Sequence, residues 1–198
     1  MGAVIARWIL LAALSLLAAC QQNGEQQQAS AQNRKVVACA ILEDYVTAEF
    51  DRAKKPLWLT ATPTWIAPSD INQTIDELRK RDPDGPSEHE LKQKLVEIER
   101  LAKLNPVEEC RGLAKIREAR SIPDPPDKDA PKTTDDGLFY HYEILSVQVP
   151  HVDLNKGEAT FEVAQTCGPL CGSGAIITYL RDHQGQWSKA DETGTWIS

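Results

Sequence analysis

Four β-rich runs close the chain, and they constrain its fold more than any other feature. Phe139 to Val149, Ala159 to Thr166, Ala175 to Leu180 and Trp187 to Ile197 are separated by short turn sequences, among them Asn155-Lys156-Gly157 and Gln184-Gly185. Phe161 and Val163 alternate with Thr160 and Glu162. A period of two sends successive side chains to opposite faces of a sheet, and connections this short join antiparallel neighbours. The expected C-terminal half is an antiparallel meander of about four strands.

The preceding half has helical periodicity. From Val36 to about Phe50, Val37, Ile41, Tyr45 and Ala48 form one apolar stripe, and Cys39, Leu42, Val46 and Phe50 form a second beside it. So wide an apolar face suits a helix packed across a sheet. Pro56 to Ile66 is extended in character, and Pro63 restricts it to an edge or a break. Ile71, Ile75 and Leu78 have the spacing of a short helix with Ser69 as N-cap. After the turn Asp82-Pro83-Asp84-Gly85-Pro86, Ser87 and Glu90 form a capping box for a helix carrying Leu91, Leu95, Ile98 and Ala102, which Asn105-Pro106 stops. Ser121 to Gly137 holds four prolines and five aspartates and is a solvated loop. N-terminal helices packed on a C-terminal meander make an α+β fold, with residues 36–198 as one domain.

Between two of the β runs lies Cys167-Gly168-Pro169-Leu170-Cys171-Gly172-Ser173-Gly174. This loop, with Gly185-x-Trp187 and the terminal Trp196-Ile197-Ser198, resembles a domain that recurs in exported bacterial proteins and is largely uncharacterised. The resemblance covers roughly residues 139–198, with a weaker echo at 36–66. It implies a fold and an extracytoplasmic address, and no activity or functional residue is carried over from it.

The first twenty residues, MGAVIARWILLAALSLLAAC, run from a single positive charge (Arg7) through an apolar stretch to small residues and a cysteine. That order is an export signal, and the stretch is too short to span a bilayer. Leu17-Ala18-Ala19-Cys20 resembles the lipobox of bacterial lipoproteins. The resemblance implies cleavage after residue 19, diacylglycerol on the Cys20 thiol and acylation, palmitate included, of the new amino group. Gln21 in place of Asp favours the outer membrane, facing the periplasm, with the inner membrane the alternative. Residues 20–35 are then the lipidated cysteine and a Gln-rich disordered tether, with an r.m.s. reach of ~20 Å.

The periplasm is oxidising, so the other four cysteines are expected to pair. Three pairings are possible. A Gly/Pro turn brings Cys167 and Cys171 together, which leaves Cys39–Cys110 as the second bridge.

Loss of the leader's Arg7 takes the net charge from −7 to −8. An acidic surface argues against nucleic acid as a partner. Thiol-redox chemistry at Cys167 and Cys171 is an alternative, but thioredoxin-type sites place two residues between the cysteines at a helix N-terminus, and here there are three in a hairpin. A metal site would need two of His141, His151 and His183 beside those thiols. A nucleophilic Cys171 or Ser173 stands in no Gly-x-Ser-x-Gly elbow. Asp82-x-Asp84-Gly85 and Asp153-x-Asn155-x-Gly157 echo calcium loops but lack the distal Glu, and tight turns account for them. Of Trp58, Trp65, Trp187 and Trp196, those outside the core would mark a binding surface.

No catalytic set, metal site or cofactor is assigned. The expectation is a membrane-anchored periplasmic lipoprotein acting as a non-catalytic binding module for a protein or envelope component. Inhibition of a basic cell-wall enzyme, as an immunity-type protein would do, is one version. A redox or metal-binding protein and a purely structural envelope lipoprotein are the alternatives.

Overall fold

The computed structural model describes residues 30–60, 75–76, 79–80, 85–123, 133–135 and 137–197. Leu17 to Cys20, Trp65, Ser69, Ile71, Leu78, Asp82 and Asp84 lie outside them. The chain divides into two compact units, Met1–Val37 and Ala38–Ser198.

In the first unit residues 30–37 are helical. The expected tether, residues 20–35, overlaps the start of this helix. Ala31, Gln32, Arg34 and Lys35 all have good helix propensity, and the Arg34 guanidinium donates to Ser30 Oγ one turn back (3.4 Å).

The second unit begins with helix α1 (38–52). It is followed by β1 (Leu57–Leu59), α2 (Glu88–Ala102), α3 (Pro106–Glu109) and α4 (Arg111–Arg120), and then by β2 (Glu143–Val147), β3 (His151–Asp153), β4 (Glu158–Gly168), β5 (Cys171–Arg181) and β6 (Trp187–Ile197). Residues 75–76 and 79–80 are also helical. The class is α+β. The sheet runs β1-β2-β4-β5-β6, with β3 beside β4, and every pairing is antiparallel except β1 with β2.

The four-strand meander is present as β2, β4, β5 and β6, and among the described residues β1 and β3 bring the sheet to six strands. Pro150 has no N–H and breaks the strand opposite β4, so that β3 resumes the pairing after it. β1 is added in parallel to β2, Leu57 opposite Glu143, and parallel neighbours require a long crossover, here the helical segment. The outer edge of β1 is closed by the end of α4. Leu59 N–H donates to Ser121 Oγ (2.9 Å), Ile122 N–H to Leu57 O (2.9 Å) and Arg117 Nε to Leu59 O (2.8 Å).

One face of the sheet is the core. Leu145 and Val147, Ala159, Phe161 and Val163, and Ala175, Ile177 and Tyr179 are buried in register across β2, β4 and β5. Ile41, Leu42, Tyr45 and Val46 of α1 are buried too. The Tyr45 ring meets Phe161 edge-on at 5.3 Å, and the Tyr179 hydroxyl donates to Asp44 Oδ2 at 2.9 Å. Leu42, Leu59, Leu113, Leu145 and Ile177 are sealed from solvent, and each such side chain contributes roughly 2 kcal/mol by its transfer from water.

The capping box is formed. Glu90 N–H donates to Ser87 Oγ, and the Glu90 carboxylate accepts from Ser87 N–H at 2.8 Å. The hydroxyl and amide of Ser87 hold the Glu90 carboxyl below its usual range. Asn105-Pro106 does not merely end a helix. The helix ends at Ala102, and Asn105 then caps α3 through Val107 N–H (3.0 Å), with Pro106 in its first turn.

Candidate functional site

The hairpin between β4 and β5 is the place where the sequence and the structure concentrate unusual features. Gly168 pairs with Cys171, so Pro169 and Leu170 alone form the apex. Cys167 and Cys171 lie at disulfide distance, with Cα atoms 5.1 Å apart; Cys39 and Cys110 form the other such pair, at 5.3 Å. β5 starts at Cys171 rather than Ala175, so the glycines after the second cysteine belong to a strand.

Trp196 explains those glycines. It lies opposite Gly174 in the β5–β6 ladder and its indole covers Gly172 and Gly174. A Cβ at Gly174 would overlap the indole nitrogen, and one at Gly172 would come within 3.1 Å of the ring. The indole lies flat only because two side chains are missing beneath it. A third glycine, Gly168, admits the backbone of Leu138, whose carbonyl oxygen would overlap a Cβ there. Tyr140 N–H donates to Cys167 O at 2.7 Å and fixes that crossing.

The outcome is an exposed apolar end. Leu170 is 76% exposed, Ile197 89%, Leu138 50%, Phe139 41% and Trp196 40%. Charge is missing from the segments that build it. Charged residues are 26% of the chain, yet there is no Asp, Glu, Lys or Arg in Val163–Leu180, Gly137–Tyr142 or Thr193–Ile197. Lys55 stands at the margin, its Nζ 5.5 Å from the Phe139 ring centroid. Trp58 is buried and half-buried Trp187 packs under Arg181, so Trp196 is the described tryptophan that serves as an exposed aromatic.

On the other face of the same strands, Tyr45, Glu49, Arg52, Gln165, Ser173 and Glu192 line a polar cavity of about 90 Å³. Arg52 pairs with Glu49, and Lys189 pairs with Glu192. Burial above all, helped by neighbouring Glu49, pushes the Tyr45 phenol up, and burial followed by the Asp44 hydrogen bond does the same to Tyr179. Ser173 therefore faces carboxylates and a guanidinium, and no histidine lines the cavity to activate it.

The three candidate histidines, His141, His151 and His183, do not converge on the cysteines. His151 pairs with Thr160, seven residues along β4 from Cys167, a separation of roughly 23 Å. His183 lies in the turn after β5, at the far end of that strand from Cys171. His141 alone is near, following Tyr140. Among the described residues no three metal-ligating side chains come together. The His151 imidazole is held below its usual range by burial and then by Lys94. Asp153 Oδ1 accepts the N–H groups of Asn155 (3.0 Å) and Lys156 (3.1 Å), with Gly157 at φ 66°, which is a tight turn.

Sequence reasoning singled out the cysteine hairpin but missed Leu138 and Phe139 as parts of the same surface. It counted Phe139 in a strand, whereas β2 begins at Glu143, and it did not single out Leu138. No protein-family model, curated protein or solved structure matches this chain.

Proposed function

We propose that the chain is a lipid-anchored envelope protein whose domain is a non-catalytic binding module, acting through the apolar end around Leu170. The observation that carries the binding reading is that end of the sheet: Leu170 at the apex, Leu138, Phe139 and Trp196 are exposed large apolar side chains on charge-free segments, with Ile197 exposed on the opposite face of β6. Exposed apolar side chains grouped in this way mark interaction sites, whereas scattered ones do not. The cysteine pair, the Trp196–glycine contact and the Leu138 crossing hold the surface in one shape, so little conformational freedom is lost on binding.

The address rests on the apolar leader and Leu17-Ala18-Ala19-Cys20. The periplasmic face of the outer membrane is the compartment that best suits Gln21 and two cysteine pairs. An acidic domain there is suited to a basic partner such as a cell-wall enzyme.

Two measurements test this. Full-length chain expressed in a Gram-negative host with a clickable fatty acid should carry label and sediment with membranes, and Cys20→Ala should lose both. A photo-crosslinking residue at position 170 should give a discrete adduct in the envelope that one at Val96 does not. An unlabelled wild-type chain refutes the anchor, and identical crosslinking from both positions refutes the binding surface. Thiol trapping separates out the redox alternative, which requires Cys167 and Cys171 to cycle in cells, whereas a rigid binding surface requires them to stay oxidised.

A further inference from the structure

We propose that the apolar end docks on the interface of a zwitterionic phospholipid bilayer, with Leu170 at the hairpin apex entering the acyl boundary. The proposal deepens the binding reading above and rests on it, naming the partner of that surface.

Three observations favour lipid over a protein groove. First, the building segments carry no acidic or basic side chain, and a surface entering hydrocarbon must exclude charge. Second, the apex presents few free backbone donors. Pro169 has none, Gly168 and Cys171 pair with each other, and Tyr140 N–H is bonded to Cys167 O. An inserting turn needs this economy, because hydrocarbon supplies no hydrogen-bond partners. Third, the side chains are graded. Aliphatic Leu170 at the apex is the most exposed of this surface, and Trp196 and Phe139 are less so. The stacked Tyr140–Tyr142 pair lies further back along the Leu138–Phe139 segment. Tryptophan and tyrosine favour the headgroup level, where one end of the ring is apolar and the other wet.

The margin carries both signs. Exposed Lys55 lies over Phe139, and exposed Asp135 lies in the turn that leads to Leu138. A zwitterionic headgroup offers phosphate to the lysine and a quaternary amine to the aspartate. A strongly anionic surface would repel a chain with a net charge of −7.

Hydrogen exchange of the full chain, free and bound to phosphatidylcholine vesicles, tests the proposal. The lipid proposed on Cys20 holds every variant on the vesicle, so the readout is local. Residues 137–142 and 166–172 should exchange about tenfold more slowly on the vesicle, the factor expected from burying a leucine-sized side chain. Leu170→Glu should abolish that slowing, and Val96→Glu on α2, also at an exposed apolar residue, should leave it intact. Circular dichroism checks that both variants fold. Equal exchange of these segments free and bound, or undiminished slowing in Leu170→Glu, overturns the lipid assignment. A crosslinked protein adduct at position 170 together with equal exchange would overturn it as well, while leaving the binding reading standing.

Discussion

Removal of each cysteine pair in turn should separate the two by their effect on stability. Cys39 and Cys110 are 71 residues apart in sequence, and Cys167 and Cys171 only 4. Closing a loop removes entropy from the unfolded chain in proportion to the logarithm of its length, which gives about 4 kcal/mol for the long loop and about 2 kcal/mol for the short one. Cys110 also joins α3 to α4 and is 1% exposed, so truncation there leaves a small cavity that adds to the loss. The assay is urea unfolding of Cys39→Ala/Cys110→Ala and Cys167→Ala/Cys171→Ala beside the parent. With a slope of about 2 kcal/mol/M, the first midpoint should fall by about 2 M and the second by about half as much. Equal falls, or a larger one for the short loop, would refute the reasoning that loop length dominates.

Three further substitutions probe the packing. Gly174→Ala should displace the Trp196 indole and cost about 1–3 kcal/mol, read by urea unfolding and by a red shift of tryptophan emission; an unchanged spectrum contradicts the contact. Tyr179→Phe should cost about 1 kcal/mol by leaving Asp44 without its donor, measured the same way. Glu162 has its carboxyl pushed up by burial, against the opposing hydrogen bond from Gln148 (3.0 Å). A carboxyl raised in the folded state adds stability when protonated and loses it as pH rises through the folded value. Glu162→Gln should therefore raise the melting temperature at neutral pH, with the gain vanishing below the ordinary carboxylate range, and a gain independent of pH would contradict this.

The elements that could be read in advance were those whose signals are local. Ser87 with Glu90 defines a helix start by itself, and Phe161 and Val163 define a face by alternation. α4 was not foreseen, because Asn105-Pro106 reads equally as the end of one helix and the start of another, and the spacing of Leu113 and Ile116 was the remaining cue. β1 was legible as an edge strand, but its parallel partner depends on residues far along the chain. The hairpin was located from Cys167 and Cys171, whereas the surface around it was not. That surface depends on Trp196 seating on two glycines and on Leu138 crossing a third, contacts made only after the strands have paired.

The seam between β1 and β2 bears on the order in which the protein assembles. β4, β5 and β6 join through tight turns, whereas Leu57 reaches Glu143 only after the whole helical segment has been drawn in. Local pairings close early and distant ones late, because loop closure must precede any contact it makes possible. The hydrogen bonds from Arg117 and Ile122 to β1 should thus be a final latch, set after the meander has zipped. In pulse-labelled refolding, amides of β5 should gain protection ahead of those of Leu59 and Thr60, and simultaneous protection would mean that the latch closes with the sheet.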